Sequence, residues 1–320
     1  PLEVNGNLSI NSGSTFNANG LDLTIKGDFS NNGTFTHNLN TTIFDGTDLQ
    51  TITGATTFYN LTKQSDNELQ LAGNIQVSND LSLEEGTLSD NGYNVRVLGD
   101  VTNTATHIYG GASGSSTQLG IHMNGTLQQN IGGTGTFGKI TVDNSSSVVL
   151  PVGSSILISD ALRLNTGVFD IQGNLLSLGV DCAIEGSGFS QTRMIQTNVS
   201  FTDNGVRKIL PAGASTFFLP IGSIAKYTPV TFSISGNGNS TGSIITKAAN
   251  EIHPSIVDDA ETTCQLVDQD NVLQYHWILK SSGITGFSAV CTMQGAASDI
   301  RISNSCGLDA ASYITARLLS

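Results

Sequence analysis

The sequence predicts an all-β chain, with a parallel β-helix-like solenoid over residues 1–195 followed by a β-sandwich over residues 196–320. Three observations predict it. Charged residues make up only 12% of the chain and glycine 36 of its 320 residues, against ~25% charged in an ordinary soluble domain. So few Lys, Glu and Arg cannot furnish the wet faces of amphipathic helices, whereas Thr, Ser, Asn and Gln suit strands and turns. Short runs alternate apolar and polar residues, as in Leu21-Asp22-Leu23-Thr24-Ile25 and Val95-Arg96-Val97, the pattern that buries one face of a strand. Gly-Asn and Asn-Gly pairs interrupt these runs and supply the left-handed backbone angles of tight bends. Strands this short carry no sandwich core alone, but coil stacked upon coil shares one interior. Antiparallel hairpin stacking is the alternative for the same pattern.

The elements follow in order. Leu8-Ser9-Ile10 with Gly13, Gly20 and Gly27-Asp28-Phe29 corresponds to Leu81-Ser82-Leu83 with Gly86, Gly92 and Gly99-Asp100-Val101. A third block has Leu162-Arg163-Leu164, Gly167, Gly173 and Gly179-Val180. The spacings are 81 − 8 = 73 and 162 − 81 = 81 residues. Between the blocks, Gly46 to Ile52 and Thr57-Phe58 correspond to Gly125 to Ile131 and Thr136-Phe137, so a large unit repeats. Past residue 195 prolines become commoner (Pro211, Pro220, Pro229, Pro254) and the strands lengthen, as in Gln274-Tyr275-His276-Trp277-Ile278-Leu279. These features predict the sandwich, with residues 251–263 as a loop or one short helix.

Phe218-Leu219-Pro220-Ile221-Gly222 followed by Tyr227-Thr228-Pro229-Val230-Thr231, and His276-Trp277-Ile278 followed by Gly283-Ile284-Thr285-Gly286-Phe287, resemble a module of large repeat-containing, adhesin-like surface proteins of Bacteroidota exported by the type IX secretion system. The resemblance implies an extracellular, cell-surface location and a stalk-like or adhesive role, and it transfers no catalytic residue. Partners expected from it are other domains of the same large polypeptide, surface glycans and the secretion machinery. Both ends read as strand (Leu2-Glu3-Val4; Tyr313 to Leu318), so the chain is expected to be a fragment of a longer protein.

A net charge of −13 without any Lys/Arg cluster repels phosphate backbones and anionic membranes, which argues against nucleic-acid partners. No apolar stretch is long enough for a membrane-spanning helix, so no membrane insertion is expected. Cys182, Cys264, Cys291 and Cys306 form no CxxC pair; two disulfides, in any of three pairings, are expected. Asp268-Gln269-Asp270-Asn271 begins like a calcium loop without the glycine and glutamate of an EF-hand. Asp268 and Asp270 are the candidate metal ligands, with Asp258, Asp259 and Glu261 nearby, and calcium is the one candidate cofactor. Asp45 and Asp48 invite the same reading.

Gly238-Asn239-Ser240-Thr241-Gly242 matches the hydrolase G-x-S-x-G pattern, and Gly133, Gly135 and Gly138 match the dinucleotide pattern. A strand-like run rather than a helix follows each, so neither the nucleophile elbow nor the phosphate site can form. The five histidines are scattered, Glu84 and Glu85 adjoin, and Arg96 and Arg163 stand alone. No catalytic constellation follows, and the chain is not expected to be an enzyme. The function expected is a structural or adhesive segment acting as a stalk or glycan-contacting module. The alternatives are a polysaccharide-binding or polysaccharide-degrading β-helix, with Tyr59, Tyr93 and Tyr109 as sugar-stacking candidates, and a filament-forming extracellular subunit.

Overall fold

The computed structural model describes residues 1–197, 204–238, 242–253, 273–296 and Asp299. Among these residues the regular structure is strand, with no α-helix, and a β-solenoid of about nine turns accounts for most of it. Each coil carries three short strands joined by bends, and each strand pairs in parallel with its counterpart one coil on. On face one the register runs Leu2, Leu23, Thr42, Leu61, Leu81, Val101. These are steps of 21, 19, 19, 20 and 20 residues, so one coil takes about twenty. Face two begins Leu8–Ile10, Phe29–Asn31, Gln50–Thr53 and Glu68–Ala72. Face three includes Thr56–Phe58, Ile75–Val77, Val95–Val97 and Ile121–Met123. Thr136–Asp143 and Ser155–Thr166 are long enough to run through faces two and three, and their mutual register shifts between Phe137 and Lys139.

The alternation explains the packing. In Leu81–Leu83 and Val95–Val97 the outer two side chains are buried and the middle one points out. Stacked coils thereby build one cluster running from Ile10 to Ile244. Near its N-terminal end the cluster is aromatic, with the Phe58 ring 5.6 Å from Phe29 and 5.8 Å from Phe35. No single coil could bury these rings, so the stack is the folding unit.

The bends hold together through polar side chains. Where the chain turns a corner, its N–H leaves the strand ladder and needs another acceptor. Asn60 Oδ1 accepts the Asp80 N–H (3.2 Å), Asp80 Oδ1 accepts the Asp100 N–H (2.8 Å), and Asp100 Oδ1 accepts the Asn130 N–H (2.7 Å). One corner of four coils is thus stapled along the axis.

The large repeat has a structural meaning that its spacing did not disclose. Leu8, Leu81 and Leu162 lie on faces two, one and three respectively. From one block to the next the chain advances eleven strand positions, or three and two-thirds coils. Successive units are therefore rotated by one face. The turns travel with them: Asn19-Gly20 and Asn91-Gly92 both have φ between +50° and +81°. The loop 109–120 takes up most of the extra length of the second unit.

Parallel pairing continues beyond residue 195, joining Ile195–Gln196 to Ile221–Ser223 and Leu175–Leu178 to Gly205–Ile209. Antiparallel strands follow. Ser243–Ala249 pairs with Gly205–Ile209 and with His276–Ser282, while Ser215–Leu219, Val230–Ile234 and Ala289–Met293 form a separate three-stranded sheet. Phe232, Ile234 and Ile244 belong to the solenoid's own core cluster, so these strands pack onto the core of the stack; a sandwich is not established by them.

The expected disulfides are not found among the described residues. Cys182 and Cys291 are both free thiols. They sit apart in the fold, Cys182 in the bend before Ala183–Glu185 and Cys291 on a strand of the three-stranded sheet. Burial pushes the Cys182 thiol up to about 12, so it stays protonated at neutral pH. Cys264 and Cys306 lie outside the described residues.

Candidate functional site on the third face

The outward side chains of face three form a register row of Thr57, Gln76, Arg96, His122, Thr141, Arg163 and Glu185. The residues before 198 include six Lys and Arg, of which Arg96, Lys139 and Arg163 belong to this face. Two polar clusters arise from it.

The first is a buried ionic triad beneath the loop 109–120. Glu185 Oε2 lies 2.9 Å from both Lys139 Nζ and Arg163 Nε. Lys139 reaches the carboxylate because its register partners are Ala161 and Ala183, whose small side chains leave it a path. The lysine side chain is fully buried, a position that demands a counter-charge. The loop is held by the same groups. Gly114 N–H donates to Glu185 Oε1 (3.0 Å), Lys139 Nζ donates to Ser115 O (3.0 Å), and Arg163 Nη2 donates to Gly114 O (3.2 Å) and Ser115 O (3.0 Å). Tyr109 stands at the loop's start with its hydroxyl bonded to Ala112 O and Gln118 O and its ring 5.0 Å from Lys139 Nζ. Burial pushes the Tyr109 hydroxyl up to about 12. The triad therefore clasps the loop across three coils, and its charges are spent within the protein.

The second cluster is open to solvent. Arg96 is exposed, and its guanidinium is held from both sides: Nη1 donates to Gln76 Oε1 (3.0 Å) and Nε to Asn124 Oδ1 (2.8 Å). Asn124 Nδ2 donates to Asp143 O (3.1 Å), and His122 Nε2 lies 3.2 Å from Asp143 Oδ2. Burial holds His122 below its ordinary value, partly opposed by the hydrogen bond to Asp143.

A third pair, His107 Nε2 and Asp90 Oδ2 at 3.1 Å, is wholly buried; Asp90 Oδ1 accepts the Gly92 and Gly110 N–H groups (2.8 Å each) and so fixes two turns. Lys208 acts similarly, donating to the carbonyls of Gly179, Val180 and Cys182. With Cys182 it lines a cavity of about 340 Å³ between the last coils and the antiparallel sheet.

Several expectations meet the structure here. Arg163 does not stand alone: its partner Glu185 is 22 residues on, one coil away. Tyr109 is occupied within its loop, whereas Tyr59 stacks on His37 (centroids 5.7 Å apart). Gly133, Gly135 and Gly138 lead into the strand Thr136–Asp143, not a helix. Gly133 has φ +105°, and a Cβ there would lie 2.0 Å from Asn103 O, so the glycine is a corner requirement. Asp45 pairs with Lys26 (3.1 Å). No group of three or more His, Cys, Asp or Glu residues able to hold a metal ion occurs among the described residues. Asp268 and Asp270, with Asp258, Asp259 and Glu261, lie outside those residues, as do Asn239, Ser240 and Thr241 of the hydrolase-like pattern.

The chain has no match among family models, curated proteins or solved structures.

Proposed function

We propose that the chain is a rigid structural module, a stalk or spacer of a larger extracellular surface protein, with its C-terminal strands closing the solenoid as a sandwich-like cap. One observation carries this reading: a single hydrophobic core runs unbroken through the stacked coils into the antiparallel strands. Such a stack transmits load along its axis through continuous strand ladders, and about nine coils at ~4.8 Å spacing give a rod of roughly 45 Å. The clasped triad supports the same reading, because its charges tie coils together instead of facing a substrate.

Two measurements test it. Stretching the full chain between its ends should give one principal unfolding event of the stack; a sequence of small, independent events would overturn the rigid rod. Incubation with a panel of polysaccharides should release no soluble sugar. Release would replace the structural reading with a degradative enzyme.

A further inference from the structure

We propose that the open part of face three, centred on Arg96, is a binding platform for a neutral polysaccharide lying along the solenoid axis. This goes beyond the spacer reading and can fail without it.

The platform is preformed. Arg96 is fixed between Gln76 and Asn124 by bonds of 3.0 and 2.8 Å, and Asn124 is fixed in turn by Asp143. A guanidinium held on two edges in the free protein loses little conformational freedom when a ligand takes its remaining donors. It has no carboxylate within ion-pair distance among the described residues, unlike Lys139 and Arg163 on the same face.

The spacing is axial. Gln76, Arg96 and His122 are register partners in three successive coils, so polar groups recur at about the 4.8 Å strand spacing. That step is comparable to one pyranose ring along an extended glycan. Further along the row, Thr57 pairs with Gln76, and beside Thr57 the Tyr59 ring stacks with His37 at an interplanar angle of 28°. Flat rings beside a row of hydrogen-bonding groups suit the apolar faces and hydroxyl edges of sugars.

Charge selects the class. The cluster balances one guanidinium against the carboxylate of Asp143, so donors and acceptors are both present and excess charge is not. The whole chain carries −13, which repels uronate and sulfate polymers. A neutral, hydroxyl-rich chain meets neither obstacle.

The test is native electrophoresis of the full chain in gels containing hydroxyethylcellulose, glucomannan or polygalacturonate. At least one neutral polymer should retard the wild type, and polygalacturonate should not. Arg96→Met and Gln76→Ala should each weaken the retarding interaction at least tenfold, with melting temperatures near the wild type because neither side chain is in the core. Lys280→Ala, at an exposed site on the C-terminal antiparallel strand His276–Ser282, should leave it unchanged. No retardation by either neutral polymer, equal retardation by polygalacturonate, or wild-type retardation of Arg96→Met would overturn the proposal. Retardation with release of soluble sugar would also overturn it, by making the row a catalytic site.

Discussion

Gln129 bonds four groups at one corner of the solenoid. Its Oε1 accepts the Gly125 N–H (2.7 Å) and an Asn144 Nδ2 hydrogen (2.9 Å), while its Nε2 donates to the carbonyls of Val97 (3.1 Å) and Gly99. Gln50 repeats the arrangement with Gly46, Ile25 and Gly27. Gln129→Ala takes their side-chain partner from the Gly125 N–H and the Gly99 carbonyl, while Val97 O keeps the Asn124 N–H; at about 1–3 kcal/mol for each unpaired group, a loss of roughly 3 kcal/mol in urea unfolding is expected, and a change below about 1 kcal/mol would show that water replaces the amide. His122 gives a prediction in pH. Its folded pKa lies below the ordinary 6.5, chiefly through burial. Below about 6.5 the unfolded chain binds a proton that the folded chain resists, so this contribution to stability is lost as pH falls from there toward the folded value. His122→Asn should flatten that part of the stability–pH curve relative to the wild type; an unchanged slope would assign it to other groups. The correspondence of Gln50 with Gln129 was legible in the sequence as a repeated segment, but their role was not. Both amides reach back across a coil, and only the stacking shows what they hold.

At the scale of elements, the loop 109–120 is held by the charges of the triad beneath it. Glu185→Gln removes the counter-charge of Lys139 and Arg163 together, and breaking a buried pair in this way costs about 3–5 kcal/mol. The expected readout is local as well as global: amides of residues 110–118 should exchange hydrogen faster, while those of Leu81–Leu83 on face one keep their protection. Uniformly faster exchange would mean that the triad supports the entire stack and not the loop in particular. The strands and bends of this region were readable from alternation and from glycine positions. The triad was not, because Lys139, Arg163 and Glu185 are separated by 24 and 22 residues and become neighbours only through the coil period. That period was hidden: the strongest internal similarity joins strands eleven positions apart, and it masks the shorter step of about twenty residues. Once the step is known, Arg163 with Glu185, and His122 with Asp143 at a separation of 21, are the pairs that a face-by-face alignment would bring together.

For the whole molecule, the rotating repeat determines which changes of length the stack tolerates. Each coil contacts mainly its two neighbours, so stability is approximately a sum over coils and their interfaces. Deleting residues 61–80 removes one coil and brings Leu81 into the place of its register partner Leu61. The shortened chain should fold, lose about 4.8 Å of length in small-angle scattering, and melt near the wild type. Deleting residues 61–70 instead removes half a coil. Leu71, a face-two residue, would then have to start a face-one strand, and every later strand would meet a neighbour from the wrong face. That variant should expose core residues and bind a hydrophobic dye. If both deletions folded equally well, the bends and side-chain staples would not be setting the coil length, and the register would be following hydrophobic alternation alone. If neither folded, the stack would be cooperative over more than neighbouring coils, and the additive picture would have to give way to one in which the aromatic cluster around Phe58 nucleates the whole solenoid.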